Sequence, residues 1–119
     1  MKFRILGTAF LLAFTALAMP AGTPSAATPR TVTINAHRFA FEPNEITLKV
    51  GEETVLILHS EDVSHGLVIE DLGVRAEVKK GQSTQVTVTP QSAGTFEGKC
   101  AHFCGAGHGG MILTVHVVN

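Results

Sequence analysis

From position 31 onward the chain is cut into short apolar stretches separated by turn residues, and none of them repeats with helical period. That punctuation limits the fold more than any other feature. Thr31-Val32-Thr33-Ile34 alternates with period two, and Glu45 to Val50 alternates better, placing Ile46, Leu48 and Val50 on one face before Gly51 turns the chain. Thr54 to Leu58 is a continuous apolar run, too short for a typical helix, and reads as a buried strand. Gly66–Ile69 is a further short candidate. In Ser83–Thr89, Val86 and Val88 face in while Gln85, Thr87 and Thr89 face out. Thr95–Lys99 and Met111–Val118 follow, the last with Leu113, Val115 and Val117 on one side. About seven or eight strands, with no helical stretch after position 27, predict an all-β sandwich or barrel.

The N-terminus has a different character. Lys2 and Arg4 precede an uncharged apolar run, Ile5 to Met19, of signal-peptide length and short for a membrane span. Ser25-Ala26-Ala27 is the preferred cleavage signal and Ala16-Leu17-Ala18 the second, so residues 1–27 read as a secretory signal, with an uncleaved anchor as the alternative. Residues 28–119 then form one domain of 92 residues carrying seven basic and ten acidic side chains, a net charge of −3 with histidines neutral. No basic surface suited to nucleic acid is indicated. Membrane association is expected only if the N-terminal segment is retained.

The chemistry gathers in residues 100–111, CAHFCGAGHGGM. Cys100, Cys104 and His108 are spaced by four, as on a helix face. Gly105, Gly107, Gly109 and Gly110 argue against a helix, since each costs up to ~1 kcal/mol there relative to Ala. The segment is a glycine-rich loop between strands. Two cysteines in an exported chain commonly pair, and a structural disulfide is one reading. It gives no reason for His108 and Met111. Imidazole suits copper and zinc, whereas thiolate with thioether suits copper in particular. A further ligand would come from a second loop, and His65 in Glu61-Asp62-Val63-Ser64-His65-Gly66 is placed to converge on the same end of a sandwich.

Together EDVSHGLVIEDLGV (61–74) and CAHFCGAGHGGM resemble the cupredoxin domain of cytochrome c oxidase subunit II and the dinuclear copper A (CuA) site of that family. The family pattern of a distal histidine followed by Cys-x3-Cys-x3-His-x2-Met is met by His65, Cys100, Cys104, His108 and Met111, and FAFEPNEITLKVG (39–51) is similar to the family's opening strand pair. The resemblance implies a cupredoxin-like Greek-key sandwich or barrel holding two copper ions. Both thiolates would bridge the ions, His65 and His108 would each cap one, Met111 would be a weak ligand to one, and the carbonyl of His102 would serve the other.

Three departures separate this chain from an oxidase subunit. Position 102 is His where the family often has Glu; the chain has no Trp or Tyr; and it has one N-terminal apolar segment where the family usually has two spans. They point to a free-standing exported relative, periplasmic or anchored outside the cytoplasm. The His102 imidazole is an additional candidate metal donor. His116 is expected at the surface, and His37 and His59 are expected to be solvated or hydrogen-bonded. Phe39, Phe41, Phe96 and Phe103 are expected in the core, with shielding of copper as the alternative role for Phe103.

The functional expectation is one-electron transfer rather than enzymatic catalysis. The partner would be a redox protein such as a c-type cytochrome or a terminal oxidase or reductase. Copper delivery to an apo copper protein is the alternative, and a sandwich stapled by Cys100–Cys104 is the third reading.

Overall fold

The computed structural model describes residues 17–19 and 29–119. Residues 29–119 contain nine strands. These are β1 (Arg30–His37), β2 (Ala40–Glu42), β3 (Glu45–Lys49), β4 (Thr54–Ser60), β5 (His65–Ile69), β6 (Val74–Val78), β7 (Ser83–Val88), β8 (Gly94–Lys99) and β9 (Ile112–Val118). They form two sheets, of order β2-β1-β4-β7 and β3-β9-β8-β5-β6. The all-β expectation holds, and the fold is that of a cupredoxin. The proposed signal segment 1–27 falls almost wholly outside the described residues.

Alternation decides which side chains go inside. In β3, Ile46 and Leu48 are buried between exposed Glu45, Thr47 and Lys49. In β9, Leu113, Val115 and Val117 are buried in turn. Thr54–Ser60, apolar along much of its length, still alternates in burial, with Leu56 and Leu58 inward. From the first sheet Ile34, Ala36, Leu56 and Leu58 meet Leu67, Ile69, Leu113 and Val115 of the second in a single core.

Two elements lie outside the strands that periodicity alone picks out, the second of them within the segment 39–51 that the family resemblance marks as a strand pair. The strand Val74–Val78 joins the second sheet's edge, with Val74, Ala76 and Val78 inward and Arg75 and Glu77 outward. Its alternation is real but five residues long, with a small Ala at its centre. The three-residue Ala40–Glu42 is too short to carry a periodic signal and is held by pairing with β1.

The topology positions the loop of interest. Strands β8 and β9 pair antiparallel up to Lys99 opposite Ile112, and the Cys100 N–H donates to the Met111 carbonyl at 3.3 Å. Residues 100–111 therefore leave and re-enter the sheet at one point. Strand β5 lies antiparallel beside β8, with Val68 opposite Lys99, so its start runs along the beginning of that loop. Gly66 lies against it so closely that a Cβ there would stand 3.0 Å from the His102 nitrogen.

Candidate metal centre

As expected, 100–111 is a loop, with one 3₁₀ turn at His108–Gly110. The loop folds back on itself: His108 N–H donates to the Gly105 carbonyl at 3.1 Å and Gly110 N–H to the Gly107 carbonyl at 3.0 Å. Gly105 has φ +138, a conformation that side chains rarely adopt. At Gly107 a Cβ would collide with the Phe39 ring. The glycines thus let the backbone turn under an aromatic side chain from the β1–β2 turn.

Five predicted ligand residues are brought together. The Cys100 and Cys104 sulfurs are 3.9 Å apart, and both cysteines are free and buried. A disulfide requires about 2.05 Å. His65 Nδ1 lies 3.9 Å from Cys100 Sγ, and His108 Nδ1 lies 3.8 Å from Cys104 Sγ. Met111 Sδ stands 3.3 Å from Cys104 Sγ. Donor atoms of His65, Cys100 and Cys104 all fall within 4.8 Å of one another.

His102 meets this cluster through its backbone carbonyl. Its carbonyl accepts from the Cys100 thiol at 3.2 Å, while the residue as a whole is exposed.

His65 is the first residue of β5 and is fully buried, where the sequence reading expects a polar turn. Burying an imidazole is costly unless its polar atoms are satisfied. Here Nε2 donates to Asp62 Oδ1 at 2.7 Å, which leaves Nδ1 to face the sulfur. Asp62 also accepts from the Val63 N–H and the Arg38 N–H, each at 2.7 Å. Partial burial pushes the Asp62 carboxyl up, but these hydrogen bonds and the His65 ring outweigh it and hold the pKa down at about 2. Burial, and then the neighbouring Cys100, push the Cys104 thiol up to about 11. That shift favours the protonated Cys104 thiol, and binding a cation as the thiolate would release its proton.

Two aromatic expectations fail. Phe39 is 41% exposed and Phe103 is 75% exposed, whereas Phe41 is fully buried and Phe96 packs against the core. Phe39 lies across Gly105 and Gly107. Phe103 sits at the tip of the 100–111 loop, tilted 48° to the His108 ring at a centroid distance of 5.7 Å. The other histidines fit their readings: His59 Nδ1 is 2.9 Å from Ser83 Oγ, His37 is 3.3 Å from Glu42, and His116 is partly exposed beside Glu45.

Asp62 and Arg38 are functional neighbours that the sequence reading does not single out. Asp62 sits three residues before His65, a usable local signal for a carboxylate orienting a histidine. Arg38 carries no such signal.

The donor set suits a soft metal: two thiols, two imidazoles and a thioether, with His65, Cys100, Cys104 and Met111 buried. The family model described as a cupredoxin-like domain matches residues 7–113, and the chain belongs to that family. It is similar to cytochrome c oxidase subunit 2 of Thermus thermophilus, 34% identical over 87 residues that cover 73% of this chain and 64% of that protein. A second Thermus thermophilus cytochrome c oxidase subunit 2, also 34% identical, is covered over 52% of its length, so the chain spans about half to two-thirds of these relatives.

Among solved structures, it resembles the periplasmic domain of cytochrome oxidase subunit II (CoxB) of Bradyrhizobium japonicum. The TM-score is 0.69 at 17% identity, covering 75% of this chain and 83% of that one. The metal-binding domain of the Streptococcus pneumoniae D39 Cu(I)-exporting P-type ATPase CopA, solved with Cu(I), gives 0.64 at 20% identity, covering 75% and 85%. At these identities the structural likeness is one of fold.

Proposed function

We propose that this chain is an exported copper protein in which residues 100–111 and His65 hold a CuA-type dinuclear centre, and that it passes single electrons between redox partners. The observation that carries the reading is the matched environment of the two thiols. Each buried sulfur has its own imidazole Nδ1 nearby, at 3.9 Å for Cys100 and 3.8 Å for Cys104. A mononuclear blue-copper site uses one cysteine, two histidines and a weak axial methionine, which leaves the second thiol here without a task. Beyond the imidazoles, Met111 lies beside Cys104 and the His102 carbonyl beside Cys100, so each sulfur also has a weaker donor at hand.

Bound copper would supply one-electron redox chemistry. The chain's own residues do the rest. Cys100, Cys104, His65 and His108 bind; Asp62 fixes the His65 ring with Nδ1 turned inward; and burial of His65 and Met111 excludes water from that side. A closed loop whose donors are already close needs little rearrangement to change charge. The reading is of an electron carrier rather than an enzyme, with a c-type cytochrome or a terminal oxidase or reductase as partner. Its export rests on the N-terminal segment 1–27. Metal analysis with visible spectroscopy of copper-loaded, fully reduced protein tests the reading: a purple protein supports it, and a colourless one after loading sinks it.

Delivery of copper to an apo copper protein is a second reading, favoured by the exposure of the loop tip Ala101–Phe103. A carrier of that kind would surrender its copper to an apo acceptor within the time of mixing. An electron carrier would keep it through repeated oxidation and reduction.

A further inference from the structure

Two adjacent residues in the β1–β2 turn touch both parts of the metal centre. Arg38 Nε donates to the Cys104 carbonyl at 2.9 Å. The Arg38 N–H donates to Asp62 Oδ2 at 2.7 Å, on the carboxylate whose other oxygen accepts from His65. The Phe39 ring covers Gly105 and Gly107 of the same loop. Strands β1 and β2 belong to the four-stranded sheet, whereas β8, β9 and β5, which carry the cysteine loop and His65, belong to the five-stranded one. The turn is anchored in its own sheet by the parallel pairing of Ala36 with Ser60 and by the Glu61 N–H donating to the Ala36 carbonyl at 3.1 Å.

We propose that Arg38 is a positioning residue: it locks the cysteine loop of one sheet to the other sheet and holds Cys104 in register with the Asp62–His65 pair. The guanidinium is always charged and is a directional donor, so its bond to a backbone carbonyl is stronger than a neutral one. The loop's own backbone bonds close its second half, between Gly105 and Met111. Arg38 secures the residue that begins that half. Phe39 blocks the space into which Gly105 and Gly107 would otherwise move. The proposal deepens the copper reading and rests on it only for its second readout.

The experiment compares Arg38→Met, which keeps the apolar stem and removes the donor, with Arg38→Lys, which keeps a cationic donor, and with Phe39→Ala. The first readout needs no metal: the rate at which the two thiols of the reduced apoprotein react with an aromatic disulfide reagent, alongside the urea midpoint. Arg38→Met is expected to raise the thiol rate about tenfold, the worth of one hydrogen bond from a charged donor, with the midpoint little changed. Arg38→Lys should recover part of the protection, and Phe39→Ala should also raise the rate.

The second readout is copper release to a chelator, together with the EPR hyperfine pattern. Release should speed up about tenfold or more in Arg38→Met, with altered coupling. A thiol rate equal to wild type in Arg38→Met would overturn the proposal, whatever Phe39→Ala does. So would a thiol rate that rises only in proportion to global destabilisation. If wild-type protein takes up no copper while its thiols respond as expected, the copper reading fails and the lock stands.

Discussion

His65 donates from Nε2 to Asp62 Oδ1 at 2.7 Å and, by that bond, presents Nδ1 to the Cys100 sulfur 3.9 Å away. The ring is fully buried, so the carboxylate is what makes its burial tolerable and what chooses its orientation. Replacing Asp62 with Ala should therefore lower copper affinity about 10–100-fold, the usual effect of losing a group that orients a ligand. A competition titration against a chelator of known affinity measures this, and an unchanged affinity would show that the ring is held by packing alone.

The same carboxylate should make the apoprotein acid-sensitive. Its pKa is depressed from 3.8 to about 2 in the folded state. A depressed carboxylate stabilises the fold above its unfolded pKa and loses that contribution as pH falls through the folded value. Apoprotein stability should thus decline between about pH 4 and pH 2. The side chain is 34% exposed, so solvent screens part of the effect. In Asp62→Asn the decline over that window should be shallower, as followed by urea unfolding at a series of pH values.

Gly107 has no room for a side chain beneath Phe39. Gly107→Ala should destabilise the protein by about 1–3 kcal/mol, as overpacking does. Combining it with Phe39→Ala removes the obstructing ring, so the double variant should lose less than the sum of the two single losses. Chemical denaturation of the four proteins gives the coupling directly, and strict additivity would mean that the ring and the loop do not bear on each other.

Met111 is fully buried with its sulfur 3.3 Å from Cys104 Sγ. Leu keeps the volume and removes the thioether. Met111→Leu should cost less than about 1.5 kcal/mol of stability, yet shift the reduction potential and visible spectrum of the copper-loaded protein. Voltammetry that leaves the potential unmoved would assign Met111 to packing only.

What was legible in the sequence follows from how local each signal is. Strands β3 and β9 announce themselves because one face is core and the other solvent, so Ile46, Leu48, Leu113, Val115 and Val117 alternate with polar or half-buried neighbours. Cys100, Cys104, His108 and Met111 share one loop, and their residue types carry the chemistry without any fold. His65 required the sandwich to bring it near, and its burial in β5 was hidden because Glu61, Asp62 and Ser64 make its approach look like an exposed turn. The Arg38–Cys104 contact bridges 66 residues and joins a side chain to a backbone carbonyl, which no residue pattern records. Phe39 and Phe103 depart from the core expectation for a related reason. Aromatic residues default to the interior, but here the glycines beneath Phe39 give it a surface to cover, and Phe103 is carried outward at the loop tip.

Each thiol has an imidazole of its own, and on the proposed reading the pair holds two copper ions. Copper titration of the reduced protein, with EPR at the end-point, tests this most directly. Saturation is expected at about two coppers per chain, with one unpaired electron coupled equally to both nuclei. Saturation at one copper, with coupling to a single nucleus, would contradict it.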